Sequence, residues 1–81
     1  MFRKLVKTTE IEIDGQRYAL MYYEQKTIRG VHRYSCEVVL DAVDRIILDD
    51  DSMTSLESKV ARLVPATLYS RVLAARPSVA A

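Results

Sequence analysis

Polar and apolar residues alternate with a period of two on both sides of Asp14-Gly15, through Thr9, Ile11 and Ile13 before it and Tyr18, Leu20 and Tyr22 after it. Such alternation marks a half-buried strand, and Asp-Gly tolerates the positive φ angles of a tight hairpin turn. A two-residue loop sets Ile13 opposite Gln16, Glu12 opposite Arg17, Ile11 opposite Tyr18 and Thr9 opposite Leu20. One face of this hairpin is therefore apolar. The other receives Glu10, Glu12 and Arg17, but also Ala19, Met21 and Tyr23, so it is only half polar.

Residues 31–40 alternate again, with His32, Tyr34, Cys36, Val38 and Leu40 on one side and Val31, Arg33, Ser35, Glu37 and Val39 on the other. This predicts a third strand after a connection through Gly30. Asp41-Ala-Val-Asp44 reads as a turn, because aspartate side chains bond the local backbone, and residues 45–49 as a fourth strand. With Ala42 and Val43 as the loop, Val38 faces Ile47 and Val39 faces Ile46.

Beyond Asp49-Asp-Asp-Ser52 the period becomes helical, through Met53, Leu56, Val60, Leu63 and Val64. Asp51, Ser52, or Thr54 together with Glu57 are the candidate caps. Pro65 ends or kinks this helix and is equally suited to start another, which would present Leu68, Tyr69, Val72 and Leu73. The predicted architecture is α+β: a four-stranded antiparallel meander followed by one or two C-terminal helices packed on one sheet face. It forms a single domain over residues 1–76, with residues 77–81 as a frayed tail.

Composition supports a folded chain without staples. Of 81 residues, 49% are hydrophobic and 28% charged, too apolar for disorder. One cysteine makes no internal disulfide, and Cys36 with His32 falls short of a zinc ligand set. Gly15 and Gly30 do not make a phosphate loop. No cofactor or metal is expected. No apolar run approaches the ~20 residues of a membrane helix, and charges interrupt MFRKLVKTTE where a signal peptide is hydrophobic; a cytoplasmic location is expected.

The net charge of +1 disfavours a dedicated nucleic-acid binder, which needs a basic face. Its distribution is uneven, since Arg3, Lys4 and Lys7 precede Glu10, Glu12 and Asp14, and five aspartates fall within residues 41–51. The aspartate run lacks the spacing of a calcium loop and reads as helix capping. His32 and Cys36 lie roughly 13 Å apart along a strand, too far to act together. No catalytic constellation emerges, so no enzymatic activity is expected.

The informative feature is the second sheet face. If the helices cover the side of Ile11, Ile13, Leu20, Val38 and Leu40, then Ala19, Met21, Tyr23, Val31, Val39 and Ile46 remain on the other, rimmed by charges. Such a cluster is interface-like; the alternatives are a second helix folded across it or a shifted strand register. The expected function is a small non-enzymatic protein–protein interaction module that self-associates. The alternative is a nucleic-acid-binding accessory protein using Lys26, Arg29, Arg33 and Arg45 with the 25–33 loop and the basic helical segment.

Overall fold

Asp14 and Gly15 sit at φ of 53° and 78°, and the chain reverses there in two residues. The computed structural model, which describes residues 2–75, joins strands β1 (Phe2–Ile13) and β2 (Gln16–Lys26) across this turn. The pairings Ile13↔Gln16, Glu12↔Arg17, Ile11↔Tyr18 and Thr9↔Leu20 are those of the two-residue loop. β1 extends well beyond the predicted alternation, to Phe2. Its period is interrupted by a bulge at Val6, between Leu5↔Tyr23 and Lys7↔Tyr22. The extra residue inverts the phase of the strand, so Arg3 and Leu5 share a face with Thr8, Glu10 and Glu12.

The connection to β3 (His32–Val39) is a hydrogen-bonded turn. The Thr27 amide donates to the Val31 carbonyl (2.9 Å) and the Gly30 amide to the Thr27 carbonyl (2.9 Å), with Gly30 at φ 81°. β4 (Arg45–Asp50) completes a sheet of order β1-β2-β3-β4. Its register corrects the expectation: Val38 pairs with Ile46 and Val39 with Arg45. The cause is the side chain of Asp41, whose Oδ1 accepts from the amides of Val43 (2.8 Å) and Asp44 (2.9 Å), while the Leu40 amide donates to the Asp44 carbonyl. The loop takes three residues instead of two, and a one-residue shift exchanges the faces of the whole following strand.

A single helix, α1 (Met53–Ala75), follows. Ser52 caps it: its Oγ accepts from the Ser55 amide at 3.1 Å, and its carbonyl accepts the Leu56 amide. Pro65 lies inside this helix and divides nothing, which resolves the choice between one helix and two in favour of one. The N–H that Pro65 lacks is the one that would bond the carbonyl of Ala61, an exposed residue, while Val64 and Leu68 bury on either side of the proline and hold the helix together. Residues 76–81, including the predicted tail, lie outside the described residues.

Leu56, Val60, Val64 and Leu68 form the buried stripe, four residues apart, and pack on Leu20, Tyr22, Cys36 and Val38. Ile11, Ile13, Tyr18, Tyr34, Ile46 and Leu48 complete the core from the same sheet face. The smallest dimension, 17 Å, is that of one helix on one sheet. Two ion pairs from α1, Arg71 to Asp44 and Lys59 to Asp50 (3.3 Å), lay the helix back along β4.

Two predictions follow from this core. Proline inside a helix costs up to about 3 kcal/mol, so Pro65→Ala is expected to stabilise the chain by a large part of that in urea unfolding; an unchanged or lowered midpoint would show that the proline relieves a strain elsewhere. Tyr22 and Cys36 are cross-strand neighbours, and burial pushes the phenol up to about 12 and the thiol up to about 11. Both groups are held in their neutral forms when folded. The stability they contribute is complete below about pH 9 and is lost as pH rises to about 12, so Tyr22→Phe should flatten the alkaline arm of a stability profile.

Candidate functional site

The helix covers one face of the sheet, and among the described residues no layer lies on the other. From β1 to β4 its rows read Arg3, Gln25, Arg33; then Leu5, Tyr23, Ser35, Asp49; then Thr8, Met21, Glu37, Ile47; then Glu10, Ala19, Val39, Arg45. Glu12 and Arg17 close the hairpin end. On the outer strands and at the end of β3, Leu5, Ile47 and Val39 are 52%, 57% and 42% exposed, and Met21 and Tyr23 on the inner strand β2 are half-buried.

Glu37 lies among these apolar groups and is buried. An isolated carboxylate in that setting would be strongly destabilised. It is held by two guanidinium groups, Arg3 Nη2 at 2.9 Å and Arg45 Nη1 at 3.4 Å. Arg3 also stacks 3.7 Å above the Tyr23 ring, and the Tyr23 hydroxyl donates to Met21 Sδ at 3.6 Å. Arg33 meets Asp49 at 3.4 Å. Ser35 is buried between the rows, and its Oγ has no hydrogen-bond partner among the described residues. A shallow cleft of about 240 Å³ opens over Arg3, Arg33, Ser35, Glu37 and Ile47.

The charges of this face have two properties that the chain total conceals. Arg3, Arg17, Arg33 and Arg45 stand against Glu10, Glu12, Glu37 and Asp49, so the face is electrically neutral. All four of its cations are arginine. The lysines lie elsewhere: Lys4, Lys7 and Lys26 belong to the helix-side register, where Lys7 sits over the Tyr22 ring at 4.9 Å, and Lys59 is on α1.

Of the residues expected to form the second-face cluster, Ala19, Met21, Tyr23 and Val39 lie together on it. Ile46 does not: the three-residue loop turns it to the helix side, against the core, and puts Ile47 on the open face instead. Val31 is in the β2–β3 turn, beyond the end of β3. Sequence reasoning missed Ile47, Leu5 and Arg3 as members. The signal for Ile47 was the Asp41 side chain, and for Leu5 and Arg3 the adjacent apolar pair Leu5-Val6 that breaks the alternation.

The basic set is not brought together as one patch. Lys26 and Arg29 are at the β2–β3 turn, Arg33 is tied to Asp49, and Arg45 lies at the opposite end of the sheet with Glu37. His32 is exposed beside Glu24, 3.6 Å from Nδ1 to Oε1, and remote from buried Cys36. In the aspartate run, hydrogen bonding to Asp51, through its side chain first and then its amide, and Lys59 after it hold the Asp50 carboxyl below the usual carboxylate range. Among the described residues no three His, Cys, Asp or Glu side chains converge as a metal site, and no helix is long and apolar enough to cross a membrane.

Compared with known proteins, the chain matches no family model, no curated protein and no solved structure. The physical reading of the open face therefore stands on its own geometry. Removing the Glu37 carboxylate leaves two guanidinium groups facing one another across it; because both arginines are half-exposed, Glu37→Ala is expected to cost about 2 kcal/mol in urea unfolding, less than the ~3–5 kcal/mol of a fully buried pair, and Glu37→Gln less again. Equal stability of Glu37→Ala and the parent chain would show that the two arginines gain nothing from the bridge.

Proposed function

We propose that the protein is a small non-enzymatic interaction module that self-associates through the uncovered face of its sheet. The observation that carries this is the composition of that face: tyrosine and methionine on its inner strand, aliphatic side chains around them, arginine as the only cation, and zero net charge. Interface cores are enriched in tyrosine, methionine and arginine and depleted in lysine. A solvated sheet face has no need of that selection.

A second copy is the occupant the charges favour. A neutral face bearing both signs docks on itself without net repulsion, whereas a phosphate backbone requires a basic surface. Glu37 enters the contact already neutralised by Arg3 and Arg45, which lowers the cost of excluding water from it. The face measures about 20 by 25 Å from strand spacing and rise. Two copies would thus bury on the order of 1,000 Å² in total, the lower end of specific interfaces. A cytoplasmic setting suits a chain whose one cysteine is a buried free thiol.

Sedimentation velocity over a concentration series tests this. The parent chain is expected to dimerise in the micromolar range, and Ile47→Lys or Met21→Lys to weaken the dimer at least 100-fold with the fold intact. Each new lysine faces Glu37 across the strands, so it is tolerated in the monomer. A chain that stays monomeric at high micromolar concentration, or a dimer indifferent to both substitutions, removes the proposal. A salt-sensitive complex with single-stranded RNA, lost in Lys26→Ala with Arg29→Ala, would move the assignment to nucleic acid.

A further inference from the structure

Ser35 lies on the inner strand β3 of the open face, between Tyr23 and Asp49 across the strands and between Arg33 and Glu37 along its own. It is only 6% exposed, and its Oγ has no hydrogen-bond partner among the described residues. A buried hydroxyl left without a partner costs stability, so its place in the lining of an open cleft calls for an explanation. Serine moves between staggered rotamers about χ1. Rotation about one bond therefore brings this hydroxyl to whatever occupies the cleft.

The side chains around Ser35 define what fits. Arg3 gives Nη2 to Glu37 and Arg33 gives Nη2 to Asp49, but a guanidinium carries five N–H donors in a planar fork. Both arginines are half-exposed and keep donors for a planar oxyanion. Arg45 also meets Glu37, so three arginines stand against two carboxylates and the surroundings carry one positive charge. A monoanion balances that charge, whereas a dianion exceeds it. Ile47 supplies an apolar wall, and the volume of about 240 Å³ lies below the roughly 300 Å³ at which drug-sized sites begin. A short acid with an apolar tail matches all of these.

We infer that the Ser35 cleft is a binding site for a small monocarboxylate, whose oxygens accept from Arg3, Arg33 and the Ser35 hydroxyl while its carbon chain lies against Ile47. The site goes beyond self-association and does not depend on it. The full chain is titrated with sodium butyrate, acetate, phosphate and chloride at matched ionic strength, and amide NMR shifts are followed. Butyrate is expected to give saturable shifts at Arg33, Ser35 and Glu37, and to bind several-fold more tightly than acetate because of its extra buried methylene groups. Phosphate and chloride are expected not to saturate.

Two substitutions decide the matter. Arg33→Gln removes one fork and breaks only an exposed ion pair, so the fold survives and butyrate binding falls about tenfold, the loss of one charge-assisted hydrogen bond. Ser35→Ala deletes a hydroxyl that has no partner, so it is expected to weaken butyrate binding several-fold while leaving the urea midpoint equal or higher. A purely structural serine would not separate the two readouts in that way. Binding of butyrate that ignores both substitutions overturns the inference, as does phosphate binding as tight as butyrate's or a lower midpoint for Ser35→Ala. If the parent chain is silent, Met21→Lys, which lies outside the cleft lining, repeats the titration with the face free of a second copy; silence there too overturns the site. Self-association is read by sedimentation without added acid, and none of these results touches it.

Discussion

A single helical stripe can bury only one face of a sheet. Here the stripe is Leu56, Val60, Val64 and Leu68, and what it covers is set by the phase of four strands that present Leu20, Tyr22, Cys36, Val38 and Ile46 to the same side. Everything placed on the opposite phase stays outside the core. The apolar residues left there, Leu5, Met21, Tyr23, Val39 and Ile47, are the surplus of a chain that is half hydrophobic but has only one helix with which to cover them. The open face is thus a consequence of topology before it is a matter of function.

The alternation around Asp14-Gly15 gave the first hairpin residue by residue, because a two-residue turn leaves one register available. The change of period after the aspartates was equally readable, whereas the cap, Ser52, was one of three candidates that spacing left open. What escaped the sequence were devices that shift phase by one. The Asp41 side chain satisfies two amides and lengthens the β3–β4 loop, exchanging Ile46 for Ile47 on the open face. The Val6 bulge moves Arg3 and Leu5 to that face, so the partner of Glu37 could not be named from spacing alone. Pro65 is tolerated for a tertiary reason: the flanking turns are buried by Val64 and Leu68, and packing outweighs the local preference.

The charge pattern carries the functional argument further than the apolar residues do. Exposed aliphatic side chains occur on every protein surface. Less common is a face that excludes lysine entirely, neutralises its one buried carboxylate with two arginines, and sums to zero. An arrangement of that kind is self-complementary across the face, and it fits an 81-residue domain whose small core gains from added burial.

The central claim is that the phase of the strands assigns one face to the helix and the other to a second copy. Isotope-filtered NOE spectra of a mixture of labelled and unlabelled chain test it most directly. Intermolecular contacts should arise from the methyl groups of Met21, Val39 and Ile47, and none from Val38, Leu56 or Val64. Intermolecular contacts confined to α1, or their absence at millimolar concentration, would contradict the account.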